Sequence, residues 1–208
     1  MEKMTITRGL VELKLLKKKI DNKTNSCNFV GVIQGKKDIT INLVNIEEFK
    51  NNAKAELQSI KTLIERRKKI KSLIVESNAK TKVKIFDKDY TVAEAIDRKS
   101  SIEFEENLLN KLKNQLVNAE STITNHNKQI ESKLDSLLGQ HLSSEKKKSE
   151  DAESFTKSYN ELNEYKILDP LNIRKYIKEL EEEINNFKSE VDLILSESNA
   201  NTYIELNT

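Results

Sequence analysis

The sequence predicts a mainly α fold: long antiparallel amphipathic helices with a small β-sheet or hairpin element, completed as a homo-oligomer. Three observations lead there. Helix breakers are scarce, with one Pro and four Gly in 208 residues, as in chains built from long helices with narrow apolar seams. Charged residues make up 34% and hydrophobic ones 36%. A compact globule needs more apolar residues than this, so burial is expected to be completed by pairing with copies of the same chain. Third, the pattern E-S-N-A-x-T occurs at 76–81 and again at 197–202. Each copy follows a long helical pattern and precedes an alternating one.

Residues 5–22 read as a helix, because Leu10, Leu13, Leu16 and Ile20 recur at three- and four-residue spacing. Asn and Ser residues from 22 to 28 end it. Residues 28–43 read as an inserted β-hairpin around Gly35-Lys36-Lys37, with Ile39, Ile41 and Leu43 alternating cleanly. Residues 46–77 carry the clearest helical seam, through Ile46, Phe49, Ala53, Leu57, Ile60, Ile64, Ile70 and Ile74. Such a helix is ~45–50 Å long, which suits antiparallel or intermolecular packing.

Residues 81–86 alternate, Asp87-Lys88-Asp89 reads as a turn, and Tyr90 to Val92 returns. Thr91 and Glu94 have capping-box spacing and should open another helix, reaching Leu116. A weaker helical pattern follows through Ile123, Ile130 and Leu134. Residues 139–153 are polar and read as a flexible loop, after which Phe155, Tyr159, Leu162 and Tyr165 restore an apolar pattern. Asp169-Pro170 suits a helix start, with Asp as cap and Pro in the first turn. The last helix, about 171–198, ends at the second E-S-N-A-x-T. The whole chain is read as a single helical domain, 1–208.

Asn tolerates the left-handed conformation that often terminates helices, which gives Asn78 and Asn199 a role as stops. The strands that follow match, Val83 with Ile204 and Ile85 with Leu206, and are expected in one small sheet beside the Tyr90 return. The repeat is then two equivalent exits from helix to strand. A sharper reading makes Ser77, Asn78, Thr81, Ser198, Asn199 and Thr202 line a polar ligand site as well. Arginine is scarce in this chain, and its planar fork suits phosphate. Arg98 and Arg66 are therefore candidates to meet a phosphate at this corner, with Glu94 the alternative partner of Arg98. Tyr90 and Tyr203 are candidates to stack on a base, although strand packing also explains them.

No catalytic pattern emerges. His126 and His141 are the only histidines, and neither has ligand-spaced neighbours. Cys27 is the only cysteine, so no internal disulfide forms, as suits a reducing compartment. Phosphate-binding glycine loops and nucleophile elbows are absent. Asp87, Asp89 and Glu94 offer carboxylates for acid–base work, but a turn and a cap account for them. The expectation is therefore no enzyme, no metal and no cofactor. A net charge of +2 argues against DNA as a partner. No apolar run approaches a membrane span, and the N-terminus lacks a secretory core. A cytoplasmic location follows.

Five blocks carry a family resemblance. They are G-L-V-E-L-K-L-L-K-K-K-I at 9–20, L-I-E-R-R-K-K-I at 63–70, S-N-A-K-T at 77–81, T-V-A-E-A-I-D-R-K at 91–99 and E-V-D-L-I-L-S-E-S-N at 190–199. Together they span most of the chain, and in this the protein resembles a helical family of bacterial and phage proteins labelled septicolysin-like. The resemblance implies a mostly helical homo-oligomer with a small β element. Its phage branch suggests action on host defence, in host cytoplasm. In its features the chain is similar to oligomeric phage sponges that sequester nucleotide immune signals, such as the cyclic ADP-ribose type made by Thoeris systems. The expected partners are then the chain itself and a phosphate-bearing small molecule. The alternative is a structural or adaptor protein that assembles through its helical seams.

Overall fold

The computed structural model describes residues 1–35, 38, 40, 44–142 and 149–206. Among them the chain runs β1 (Glu2–Thr5), α1 (Ile6–Ser26), α2 (Ile46–Lys80), β2 (Lys82–Ile85), β3 (Lys88–Thr91), α3 (Val92–Leu142), α4 (Ser149–Asn163), α5 (Ile173–Asn201) and β4 (Tyr203–Leu206). The fold is mainly helical, with two small antiparallel sheets. The chain divides into two compact units, Met1–Ser100 with Phe187–Thr208, and Ser101–Asn186.

In the first unit the sheets are separate. Strand β1 pairs with β4, and β2 pairs with β3. The expected single sheet holding both post-motif strands does not form. What decides this is β1, a strand of four residues that takes β4 as its partner. Only Met4 among its residues is large and apolar, and Met4 is buried. Methionine therefore fills the position that Tyr90 occupies in the other sheet, since Met4 faces Ile204 and Tyr90 faces Val83.

The core beside β1 and β4 consists of Met4, Ile6, Leu16, Ile70, Ile74, Ile204 and Leu206. Strand β4 thus packs its inward residues on α1 and α2, not on the helix it follows. Burying a side chain such as Ile74 contributes about 1.5–3 kcal/mol. Gly9 lets α1 approach this core closely: a Cβ there would lie 3.2 Å from Ile74 Cδ1 and 3.4 Å from Ile204 Cδ1, so those side chains would have to shift. Four residues after Thr91, as Gly9 is four after Thr5, stands Ala95, which is fully buried.

Both helices that follow these strands are capped by the strand's last threonine. The Arg8 amide donates to Thr5 Oγ1 at 3.2 Å, and the Glu94 amide to Thr91 Oγ1 at 3.1 Å. At α3 the capping box is complete, because the Thr91 amide also donates to the Glu94 carboxylate at 2.6 Å. The Thr91 hydroxyl donates to the same carboxylate at 2.9 Å, and the amide first and the hydroxyl second hold the Glu94 carboxyl below its ordinary range. The turn between β2 and β3 is Phe86-Asp87, not 87–89. Phe86 has φ 53°, a region that a side chain disfavours. Its amide donates to Glu190 at 2.7 Å. Asp89 lies within β3, opposite Lys84.

The expected hairpin at 28–43 is reduced, among the described residues, to one bridge between Ile33 and Thr40. Residues 36, 37, 39 and 41–43 lie outside them. The second unit contains most of α3, all of α4 and the start of α5. Ile102, Leu109, Leu134, Ile177, Leu180 and Ile184 are buried there. Lys113 pairs with Glu181 at 2.6 Å and Arg174 with Glu120. The expected division of α3 after Leu116 is absent, since the helix continues to Leu142. Of the expected loop at 139–153, residues 139–142 and 149–153 are helical, and 143–148 lie outside the described residues. Pro170 precedes α5 rather than sitting in its first turn. Asn172 intervenes with φ 51°, and Asp169 caps from further back, accepting the Ile173 amide at 2.8 Å.

Candidate functional site

The two E-S-N-A-x-T motifs adopt one geometry. Helix α2 runs through Ser77 and Asn78 to Lys80, and α5 through Ser198 and Asn199 to Asn201. Neither asparagine is left-handed, so both are helical residues and not stops. Each helix ends instead at its threonine. The Thr81 amide donates to the Ser77 carbonyl at 2.8 Å, and the Thr202 amide to the Ser198 carbonyl at 2.9 Å. The threonine carbonyl then accepts the first amide of another helix, Val92 for Thr81 and Ile6 for Thr202, both at 2.9 Å. Ser77, Asn78, Ser198 and Asn199 are all half-buried, as are Thr81 and Thr202. The repeat is a joint whose polar backbone groups are satisfied internally.

Arg66 is engaged by carboxylates that the sequence reading did not consider. Its Nη2 donates to Glu2 at 2.8 Å and its Nε to Glu12 at 2.5 Å. These bonds, that to Glu12 first, raise the guanidinium above its already high ordinary value. An arginine held by two carboxylates has little positive charge left to offer a phosphate. The pairing joins β1, α1 and α2, and its span of 64 residues hid it from local pattern reading.

Arg98 has different neighbours. Its guanidinium carbon lies 5.0 Å from the Phe187 ring centre and 5.9 Å from that of Tyr90. The two rings meet edge to face at 5.8 Å and 63°. This is cation–π geometry. Phe187 is buried and Tyr90 and Arg98 are half-buried. Glu94, the expected partner of Arg98, is occupied by Thr91. Of the residues singled out in the sequence, Arg98 and Tyr90 thus lie together, and Phe187, which no local pattern singled out, lies with them. Tyr203 is 56% exposed, and Lys3 Nζ lies 5.2 Å from its ring centre.

A concave feature elsewhere went unnoticed in the sequence. A cleft of about 640 Å³ is lined by Cys27, Val30, Val32, Phe49, Asn52 and Glu56, among others. Glu56 pairs with Lys23, and that bond holds its carboxyl below the ordinary range. Among the described residues, no three His, Cys, Asp or Glu side chains gather as metal ligands do. Nor is any described helix long and apolar enough to cross a membrane. His126 stacks on Tyr165 at 4.6 Å. No family model, curated protein or solved structure matches this chain.

Proposed function

We propose that this protein acts without catalysis, as a helical assembly or adaptor module that joins copies of itself through apolar residues left on its helix surfaces. The observation that carries this reading is the order of the exposed residues. Val11 and Leu15 stand one turn apart on α1, 53% and 55% exposed. They border a groove of about 400 Å³ flanked by Arg8, Glu12, Lys19 and Arg66. In the second unit Phe104 and Leu108 repeat the spacing, with Phe104 76% exposed. Apolar pairs at i,i+4 with a charged rim suit a helix partner. Sedimentation of the full chain across concentration tests this. The expected result is an oligomer that Leu15→Glu or Phe104→Glu dissociates. A chain that stays monomeric throughout refutes it.

A second reading keeps the ligand sponge for a phosphate-bearing immune nucleotide of the cyclic ADP-ribose type. Arg98 against Tyr90 and Phe187 favours it, because a guanidinium suits a phosphate and an aromatic face suits a base. The septicolysin-like resemblance and its phage branch lend support from sequence alone. Native mass spectrometry with such a nucleotide separates the two: a discrete, reversible mass gain lost in Arg98→Lys supports the sponge.

A further inference from the structure

We infer that the first unit is a fused dimer, and that the surface its two halves share is a self-complementary interface fitting a second copy of this chain. The first half runs from β1 to β2 and the second from β3 to β4. Each half opens with a four-residue strand ending in Thr, passes directly into a helix, and closes with a helix, an E-S-N-A-x-T joint and a four-residue strand.

The correspondence extends to register. Thr5 faces Tyr203 as Thr91 faces Lys82, Met4 faces Ile204 as Tyr90 faces Val83, and so on along both pairs. The same amide-to-carbonyl bond seals each pair, from Ile6 to Thr202 and from Val92 to Thr81. Buried positions also correspond at one spacing: Ile70 with Val191, Ile74 with Leu195, and Ile85 with Leu206. In both pairs the closing strand of one half takes the opening strand of the other. That is the reciprocal exchange of an isologous dimer.

The halves are covalently joined here only at Phe86-Asp87, the turn with the left-handed phenylalanine. The interface does not depend on that turn. Two chains that opened it would re-form every strand pair between them, with β2 of one on β3 of the other and β1 of one on β4 of the other. Short strained hinge loops favour such exchange. The proposal is independent of the apolar pairs on α1 and α3, and its test separates the two.

The test deletes Phe86 and Asp87 from the full chain, so that β2 can no longer fold back on β3. A reporter disulfide is added with Lys3→Cys and Glu205→Cys, in a Cys27→Ser background. Lys3 and Glu205 face each other in β1 and β4. They occupy a pair flanked by hydrogen-bonded ones, where cross-strand Cα atoms lie about 4.5 Å apart. The deleted chain is expected to run as a dimer whose disulfide joins two chains, at twice the monomer mass on a non-reducing gel. With the turn intact the disulfide forms within one chain. A deleted chain that stays monomeric, or a dimer whose disulfide remains within each chain, overturns the proposal. If the deletion prevents folding, a permuted chain decides. It starts at Lys88 and joins Leu206 to Glu2 through two residues. Melting within roughly 5 °C of the parent supports the fused dimer, and loss of cooperative unfolding overturns it.

Discussion

The sheet formed by the two ends of the described chain and the sheet formed in its middle share a backbone and differ in side chains. At β1 and β4 the strands rest on isoleucines, Gly9 lets α1 approach, and Arg66 is held by Glu2 and Glu12. At β2 and β3 an aromatic pair replaces the aliphatic contact, Ala95 stands where Gly9 would, and Arg98 lies over the rings. The positions of Glu12 and Arg98 correspond in the two halves, seven residues after Thr5 and Thr91. So do those of Arg66 and Phe187, at the spacing of the repeated motif. The difference teaches that hydrogen-bonding grammar fixes the joint, while side chains near it are free to diverge. That is the behaviour expected of a duplicated frame in which backbone bonds are obligatory and side-chain pairs are not.

The largest expected effects come from removing the apolar support of one sheet. Ile74→Ala should lose about 2–5 kcal/mol by urea unfolding, because its site is buried on all sides. Leu195→Ala, its buried counterpart at the spacing of the repeated motif, should fall in the same range if the two ends are equivalent. A loss near zero for Leu195 would break the comparison.

Gly9→Val should cost about 1–3 kcal/mol through crowding against Ile74 and Ile204. Ala95→Gly should instead cost roughly 1 kcal/mol, since it removes a buried methyl and loosens the helix. Thermal unfolding of both variants measures how tightly each helix must approach its sheet.

Smaller effects separate the two arginines. Arg66→Met should cost roughly 1 kcal/mol at low salt and less at high salt, because its partners are partly exposed. Arg98→Lys should cost about 0.5–1 kcal/mol, because lysine keeps the charge and loses the planar stacking on the rings. No measurable loss in Arg98→Lys would show that the rings do not hold the guanidinium.

The smallest effect is in acid. The folded carboxyl of Glu94 lies below its unfolded value, so its stabilising contribution is present above the ordinary carboxylate range and is lost as pH falls through the lowered folded value. Helix fraying at residues 92–95, followed by amide chemical shifts, should therefore grow on acidification, and Glu94→Gln should flatten that response.

Much of this was legible in the sequence. The seam through Ile60, Ile70 and Ile74 identified α2, because a buried stripe at helical spacing leaves a periodic trace. Thr91 and Glu94 announced a helix start that the capping bonds bear out. The equivalence of the two motif exits was also readable, since identical local bonds need identical local residues. What was hidden depends on distance along the chain. Strand β1 has one apolar residue in four and is fixed by β4, about 200 positions away. Arg66 looked available because its partners Glu2 and Glu12 are not its sequence neighbours. Asn78 and Asn199 were read as stops from an intrinsic preference, but a threonine whose amide is bonded to the preceding turn follows each helix instead.

Amide hydrogen exchange on the full chain compares the two joints residue by residue. The amides of Ile6 and Val92 close the two sheets in the same way. They should exchange slowly and within about tenfold of each other, as members of equally stable structure. Rapid exchange at Ile6 with protection retained at Val92 would show that the joint of β1 and β4 is not the counterpart of the one at β2 and β3.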